Sequence, residues 1–228
     1  MRRVILALVL AAAPAALQGQ DPRLEGRLDP ATRAAVAALV DSARAAGLPT
    51  EPIIDKALEG ATKHASAERI VAALQSLAAD LRAARGALGP KAPDADIVAG
   101  ATAIRAGARA DLLDHLEQAR GKDGLAVPLS VLSDLIARGV PVDTAAAAVL
   151  NLARHGAGDA DFTGLERGVA QDIGAGAPPG VAAAVRAHGG GAADGLSQDP
   201  SGGPPASVPA NPPKKGQNKP KGPPAGHP

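Results

Sequence analysis

The chain has 228 residues, 55 of them Ala, with 27 Gly, 21 Pro, one Phe and no Cys, Trp or Tyr. Without cysteine there is no disulfide framework, no thiolate nucleophile and no cysteine-held zinc or iron–sulfur centre. A lone aromatic residue excludes a stacking platform for single-stranded nucleic acid and removes the usual aromatic anchors of protein interfaces.

The formal net charge of +1 hides a division. Residues 21–199 hold 18 basic and 23 acidic side chains, whereas residues 200–228 hold Lys214, Lys215, Lys219 and Lys221 and no acid. An acidic body is thus followed by a basic tail. Residues 21–188 contain 39 Leu, Val, Ile and Phe among 168. Alanine must therefore fill much of the interior, which suits close-packed helices far better than a β-sheet.

In chain order, Arg2 and Arg3 precede an apolar run from Val4 to Ala13, with small residues through Ala16. A charged start, a short apolar stretch and small residues form a secretory signal peptide. The run is shorter than a spanning helix requires, which favours a cleaved signal over an N-terminal membrane anchor. Cleavage is expected after Ala15 or Gly19. Taking Gly19, residues 1–19 are the signal and 20–27 a short lead into the body, and the expected location is periplasmic or secreted.

The body, 28–188, reads as short helices separated by turn signals at Gly47, Ala65, Gly89, Gly107, Gly124, Gly139, Gly156 and Gly174. Each interval fits a helix of three or four turns. Asp29-Pro30 offers an N-cap and a first-turn proline, and Val36, Leu39, Val40 and Ala43 then line one face. Thr50 is the expected cap of a second helix and Ser66 of a third, which carries Ile70, Val71, Leu74, Leu77 and Leu81. Asp94 opens a fourth with Ile97 and Ile104, and Leu112, Leu113 and Leu116 mark a fifth ending at Gly121. Pro128 starts a sixth with Leu129, Leu132, Leu135 and Ile136. Val149, Leu150 and Leu152 mark a seventh and Phe162, Leu165, Val169 and Ile173 an eighth. A short ninth is expected from Val181 to Arg186.

A shift of 92 residues lays Gly47-Leu48-Pro49-Thr50-Glu51 on Gly139-Val140-Pro141-Val142-Asp143. Without a gap it then pairs Leu58 with Leu150, Ile70 with Phe162, Leu81 with Ile173 and Asp80 with Asp172. This is the pattern of a duplication, 28–89 against 120–181. One apolar stripe per helix cannot fold alone. The expected fold is all-α: antiparallel helical hairpins stacked as an α-solenoid-like array or an irregular bundle. The segment 189–228, with 9 Gly and 10 Pro in 40 residues, lacks the apolar content to offset chain entropy and is expected to be disordered.

Candidate sites are few. Asp111 and His115, four apart on one helical face, are half of a metal site or an exposed ion pair. Asp159-Ala160-Asp161-Phe162-Thr163-Gly164 matches the first half of a calcium loop, but position twelve, a bidentate Glu in such loops, is Ala170; the alternative is a helix start capped by Asp159 or Asp161. His64, His155 and His188 fall near expected helix ends, where the dipole favours a cation. The four tail lysines are either an electrostatic tether to an anionic envelope surface or a solubilising tail. No nucleophile elbow, zincin pair or P-loop is present.

These readings give an exported, non-catalytic helical interaction or scaffold protein. It has a protein partner, no cofactor and no specific nucleic acid. One alternative is an envelope-associated protein docked by its tail. Another is a metal-dependent enzyme or sensor using the acids and His115. The helical stripe also predicts that Leu77→Ala costs on the order of 2–5 kcal/mol in an unfolding titration.

Overall fold

A computed structural model describes residues 21–121 and 123–189. The expected signal peptide and the segment carrying Lys214, Lys215, Lys219 and Lys221 lie outside the described residues. The described chain is all-α. After a 3-10 turn at Pro22–Leu24 come α1 (Pro30–Ala45), α2 (Glu51–Thr62), α3 (Ala67–Leu88), α4 (Asp94–Ala106), α5 (Ala110–Arg120), α6 (Ala126–Ala137), α7 (Val142–Arg154), α8 (Asp159–Gly174) and α9 (Pro179–Gly189).

Local chemistry explains the starts. The Asp29 carboxylate accepts the Ala31 and Thr32 N–H groups at 3.0 Å, and Pro30 follows in the first turn. Ser66 Oγ accepts the Arg69 N–H at 3.4 Å. Thr50 does not cap: its backbone is already helical, at φ −93° and ψ −25°, and its hydroxyl makes no capping bond. The sixth helix begins at Ala126, two residues before Pro128, which sits comfortably in the first turn where no N–H partner is needed.

Six of the helix ends share one design. At α1, α2, α4, α6, α7 and α8 the chain leaves the helix through a residue of positive φ: Gly47, His64, Gly107, Gly139, Gly156 and Gly176. The residue after it turns its N–H back five positions, as in Leu48 N to Ala43 O at 2.9 Å and Val140 N to Leu135 O at 3.0 Å. This satisfies carbonyls that a helix end leaves orphaned. The returning residue is apolar each time: Leu48, Ala65, Ala108, Val140, Ala157 and Ala177. Leu48, Ala108 and Val140 are buried. A tight reversal followed by a buried apolar residue fixes the entry of the next helix. Two turn markers move by a residue or two, since the left-handed residue is Gly176 rather than Gly174 and His64 rather than Ala65.

Helices pack only on their next or next-but-one neighbours among the recorded pairs. α1, α3, α5, α7 and α9 form one rank in which each touches the following member, and α4, α6 and α8 form a second; α2 packs on α1 and α3. The core runs between the ranks and is built from both leucine and alanine: Leu74, Leu81, Leu113, Leu132 and Leu135 are fully buried, and so are Ala43, Ala57, Ala84, Ala103 and Ala145. Small residues let the axes approach. A Cβ on Gly100 of α4 would stand 2.9 Å from Leu113 of α5 and 3.1 Å from Ala84 of α3.

The positions paired by the 92-residue shift behave alike in several respects. Gly47 and Gly139 both take positive φ. Ile70 and Phe162 are both buried. Asp80 and Asp172 each receive an arginine from the following helix, Arg105 at 2.7 Å and Arg186 at 2.8 Å.

The register of α3 shifts the expected mutational cost. Leu74 is fully buried and Leu77 only partly so, because the buried stripe runs Ile70, Leu74, Ala78, Leu81, Ala84 and Leu88. Leu74→Ala is therefore expected to cost on the order of 2–5 kcal/mol in urea unfolding, and Leu77→Ala about half that or less, since a partly wet side chain has less transfer free energy to lose. His64 is the one left-handed position among the described residues not occupied by Gly. An L-residue there carries a penalty of about 1 kcal/mol, so His64→Gly should raise stability by about 0.5–1 kcal/mol in the same titration.

Candidate functional site

Two helix ends depart from the six-fold design. α3 ends at Gly89, with φ 81° and ψ 170°, and α5 at Gly121, with φ 63° and ψ −108°. Neither geometry returns the chain in the tight turn, and each helix is followed by a longer connection. A helix-terminal arginine organises each one. Arg85 donates from Nη1 to the Pro90 carbonyl at 2.8 Å and from Nη2 to the Gly47 carbonyl in the α1–α2 turn. Arg120 donates from Nε to Gly124 O at 3.1 Å, from Nη1 to Ala157 O at 2.8 Å and from Nη2 to Asp159 Oδ1 at 2.9 Å. In both cases the planar fork ties the loop after its own helix to a turn nearly forty residues away in sequence.

Arg120 is the better enclosed. Its side chain is 6% exposed, and its guanidinium carbon lies 5.0 Å from the centre of the Phe162 ring. A buried cation is tolerated here because two carbonyls and a carboxylate accept its protons and the ring face lies against it.

The two irregular loops face each other across a cleft of about 350 Å³. One wall is Leu88, Lys91, Ala92 and Pro93; the other is Gly121, Asp123, Gly124 and Leu125, with Asp96 and Glu117 completing the lining. Asp96 lies in the first turn of α4 and is 7% exposed. Its Oδ1 accepts the Leu125 N–H at 3.1 Å, so one carboxylate oxygen serves the start of α6. Among the described lining residues, three carboxylates stand against one ammonium.

The other candidate residues are placed as follows. Asp111 is exposed in the first turn of α5 and forms a fork-shaped pair with Arg109, which holds its carboxyl below the usual range. His115 is exposed one turn later. Asp159 and Asp161 open α8: Asp159 is taken by Arg120, and Asp161 Oδ2 accepts the Gly158 N–H at 2.8 Å. The hexapeptide is thus a helix start rather than a loop, and its carboxylates serve an arginine and a backbone amide. Among the described residues, no group of three His, Asp or Glu side chains is placed to share a metal ion. His155 is the C-cap of α7 and its Nδ1 lies 2.8 Å from Asn151 O; His188 Nδ1 lies 2.7 Å from Ala184 O. Bidentate Arg186 holds the Asp172 carboxyl below its ordinary range, and Lys56 and Lys63 bring Glu59 down to about 2. The cleft residues Lys91, Asp96, Glu117 and Asp123, and the arginines that shape it, were missed by sequence reasoning. The dipeptides Arg85-Gly86 and Arg120-Gly121 gave no specific signal, because Arg138-Gly139 and Arg167-Gly168 repeat the same pair elsewhere.

Comparison with protein-family models, with curated proteins and with solved structures gives no match to the chain. No helix among the described residues is long and apolar enough to cross a membrane.

If Arg120 fixes the α5–α6 loop, Arg120→Lys should lose the fork and leave carbonyls unpaired. Stability is expected to fall by about 2 kcal/mol or more in chemical denaturation, with the amide signals of Gly124 and Ala157 displaced.

Proposed function

We propose that this chain is an exported, non-catalytic helical interaction protein whose partner docks at the cleft between the α3–α4 and α5–α6 loops. The observation that carries the reading is the departure of these two connections alone from the tight turn used at six other ends. Both departures border one concave, charged place on a scaffold of rigid helices. Loops set on a rigid frame are where binding residues concentrate. A rank of neighbouring helices also offers an extended surface of the kind helical arrays use for partners. Export rests on Arg2, Arg3 and the apolar run from Val4 to Ala13.

A second reading is favoured by the charge division: Lys214, Lys215, Lys219 and Lys221, with no acid after residue 199, tether the protein to an anionic envelope surface. Such an attraction is screened by salt.

The two readings separate in one experiment. Envelope material is presented to the immobilised full chain and to a form ending at His188, at low and at moderate salt. The interaction reading expects a discrete partner retained by both forms at both salt concentrations and rebuilt from purified components. Capture that disappears with the tail or with salt would transfer the function to the tail.

A further inference from the structure

We propose that the Asp123–Gly124 peptide bond is a site of spontaneous covalent modification: aspartate there converts to isoaspartate, and the change releases the α5–α6 loop. The proposal stands apart from the partner reading. Asp123 and Gly124 are both exposed and follow the irregular end of α5. Among the described residues the Asp123 carboxylate has no hydrogen bond or ion pair, and the Gly124 N–H has no acceptor. Gly124 also brings no side chain to crowd the approach to its own nitrogen. The electrophile and the nucleophile of one ring closure are thus both uncommitted. A positive charge stands beside them: the largely buried Arg120 donates from Nε to the Gly124 carbonyl at 3.1 Å, which favours the anionic nitrogen through which attack proceeds. At Asp41-Ser42 the same attack is closed off, because Ser42 lies inside α1 and its N–H belongs to the helix.

In the first step the Gly124 nitrogen attacks Cγ of the Asp123 carboxyl in its acid form. The N–Cγ bond forms and the Cγ–OH bond breaks; the amide proton and the hydroxyl leave as water, and a succinimide remains. Water then adds to one ring carbonyl, and the ring C–N bond at that carbon breaks. Opening at Cγ restores aspartate. Opening at the former main-chain carbonyl leaves a free α-carboxylate and a main chain that runs through Cβ and Cγ. No oxidant, reductant or cofactor enters, and the mass of the chain is unchanged, but the backbone gains an atom between Asp123 and Gly124. That stretch is anchored on both sides. Asp123 N donates to Arg120 O at 3.2 Å, and Leu125 N donates to Asp96 Oδ1 at 3.1 Å. An atom inserted between fixed points strains these anchors, and the Arg120–Gly124 and Asp96–Leu125 bonds are the ones the modified loop gives up.

The test incubates the full chain at neutral pH and physiological temperature. Linkage is followed by electron-transfer fragmentation of its peptides, which separates isoaspartate from aspartate of equal mass. The pair recurs at Asp194-Gly195, outside the described residues, so linkage is read residue by residue. Isoaspartate is expected to accumulate at Asp123 while Asp41 keeps its ordinary linkage. Gly124→Ala should slow it several-fold without altering the fold, since Gly124 lies outside the left-handed region and an added Cβ would stand 3.9 Å from Asp96 Oδ1, an ordinary contact. Asp123→Glu, which would have to close a larger ring, should abolish it. In the modified fraction the Gly124 and Leu125 amide signals should be displaced while those of α1 stay. Ordinary linkage kept at Asp123, accumulation no faster than at Asp41, or an unchanged rate in Gly124→Ala would overturn the modification. Unmoved Gly124 and Leu125 signals would overturn the release of the loop.

Discussion

The fold depends on how an alanine-rich helix can be turned back on itself. A helix that ends in a left-handed residue returns its next amide to its own last carbonyls and drops the following apolar side chain into the core. At Gly47, Gly107, Gly139, Gly156 and Gly176 this geometry costs little, because glycine has no Cβ to crowd the preceding carbonyl. His64 accepts it under strain. Because the same reversal is repeated, consecutive helices meet at short range, and small residues such as Ala84, Gly100 and Ala103 can supply packing that larger side chains supply elsewhere.

The two ends that break the pattern explain the cleft. Where α3 and α5 stop, backbone hydrogen bonding alone does not close the turn, and a guanidinium takes over by gathering carbonyls from two separate connections. Two consequences follow from one device. The array is cross-tied between distant turns, and two loops are held apart as a concave wall. Asp96 belongs to the same economy of contacts: from the first turn of α4 it accepts the Leu125 N–H at the start of α6, and it lines the cleft.

Much of this was legible in the sequence because the helix code is local. Asp29-Pro30, Ser66 and the spacing of Val36, Val40, Ile70 and Leu74 mark helices whose bounds the structure moves by only a few residues. Turn glycines were legible as punctuation, but not which of Gly174 and Gly176 takes the left-handed conformation, since either can. His64 was hidden because nothing in a histidine signals positive φ. Leu77 was assigned to the core because a stripe three and four residues apart has an edge, and sequence does not say where the edge becomes wet. The arginine clamps were out of reach: Arg85 and Arg120 find acceptors 38 and 37 residues away, and those acceptors are carbonyls, which every residue carries. The cleft was invisible for the same reason, being made by two loops from different parts of the chain.

The central claim is that the described body is a neighbour-coupled array, each helix held by those one and two places away. Native-state hydrogen exchange of the full chain tests it most directly. The account predicts graded protection, highest in the middle of the array, from α3 to α7, where every helix has neighbours on both sides, and falling toward α1 and α9, with destabilisation by Leu132→Ala spreading first to α4, α7 and α8. Equal protection in all helices, lost together in one global opening and equally affected by Leu132→Ala, would contradict it.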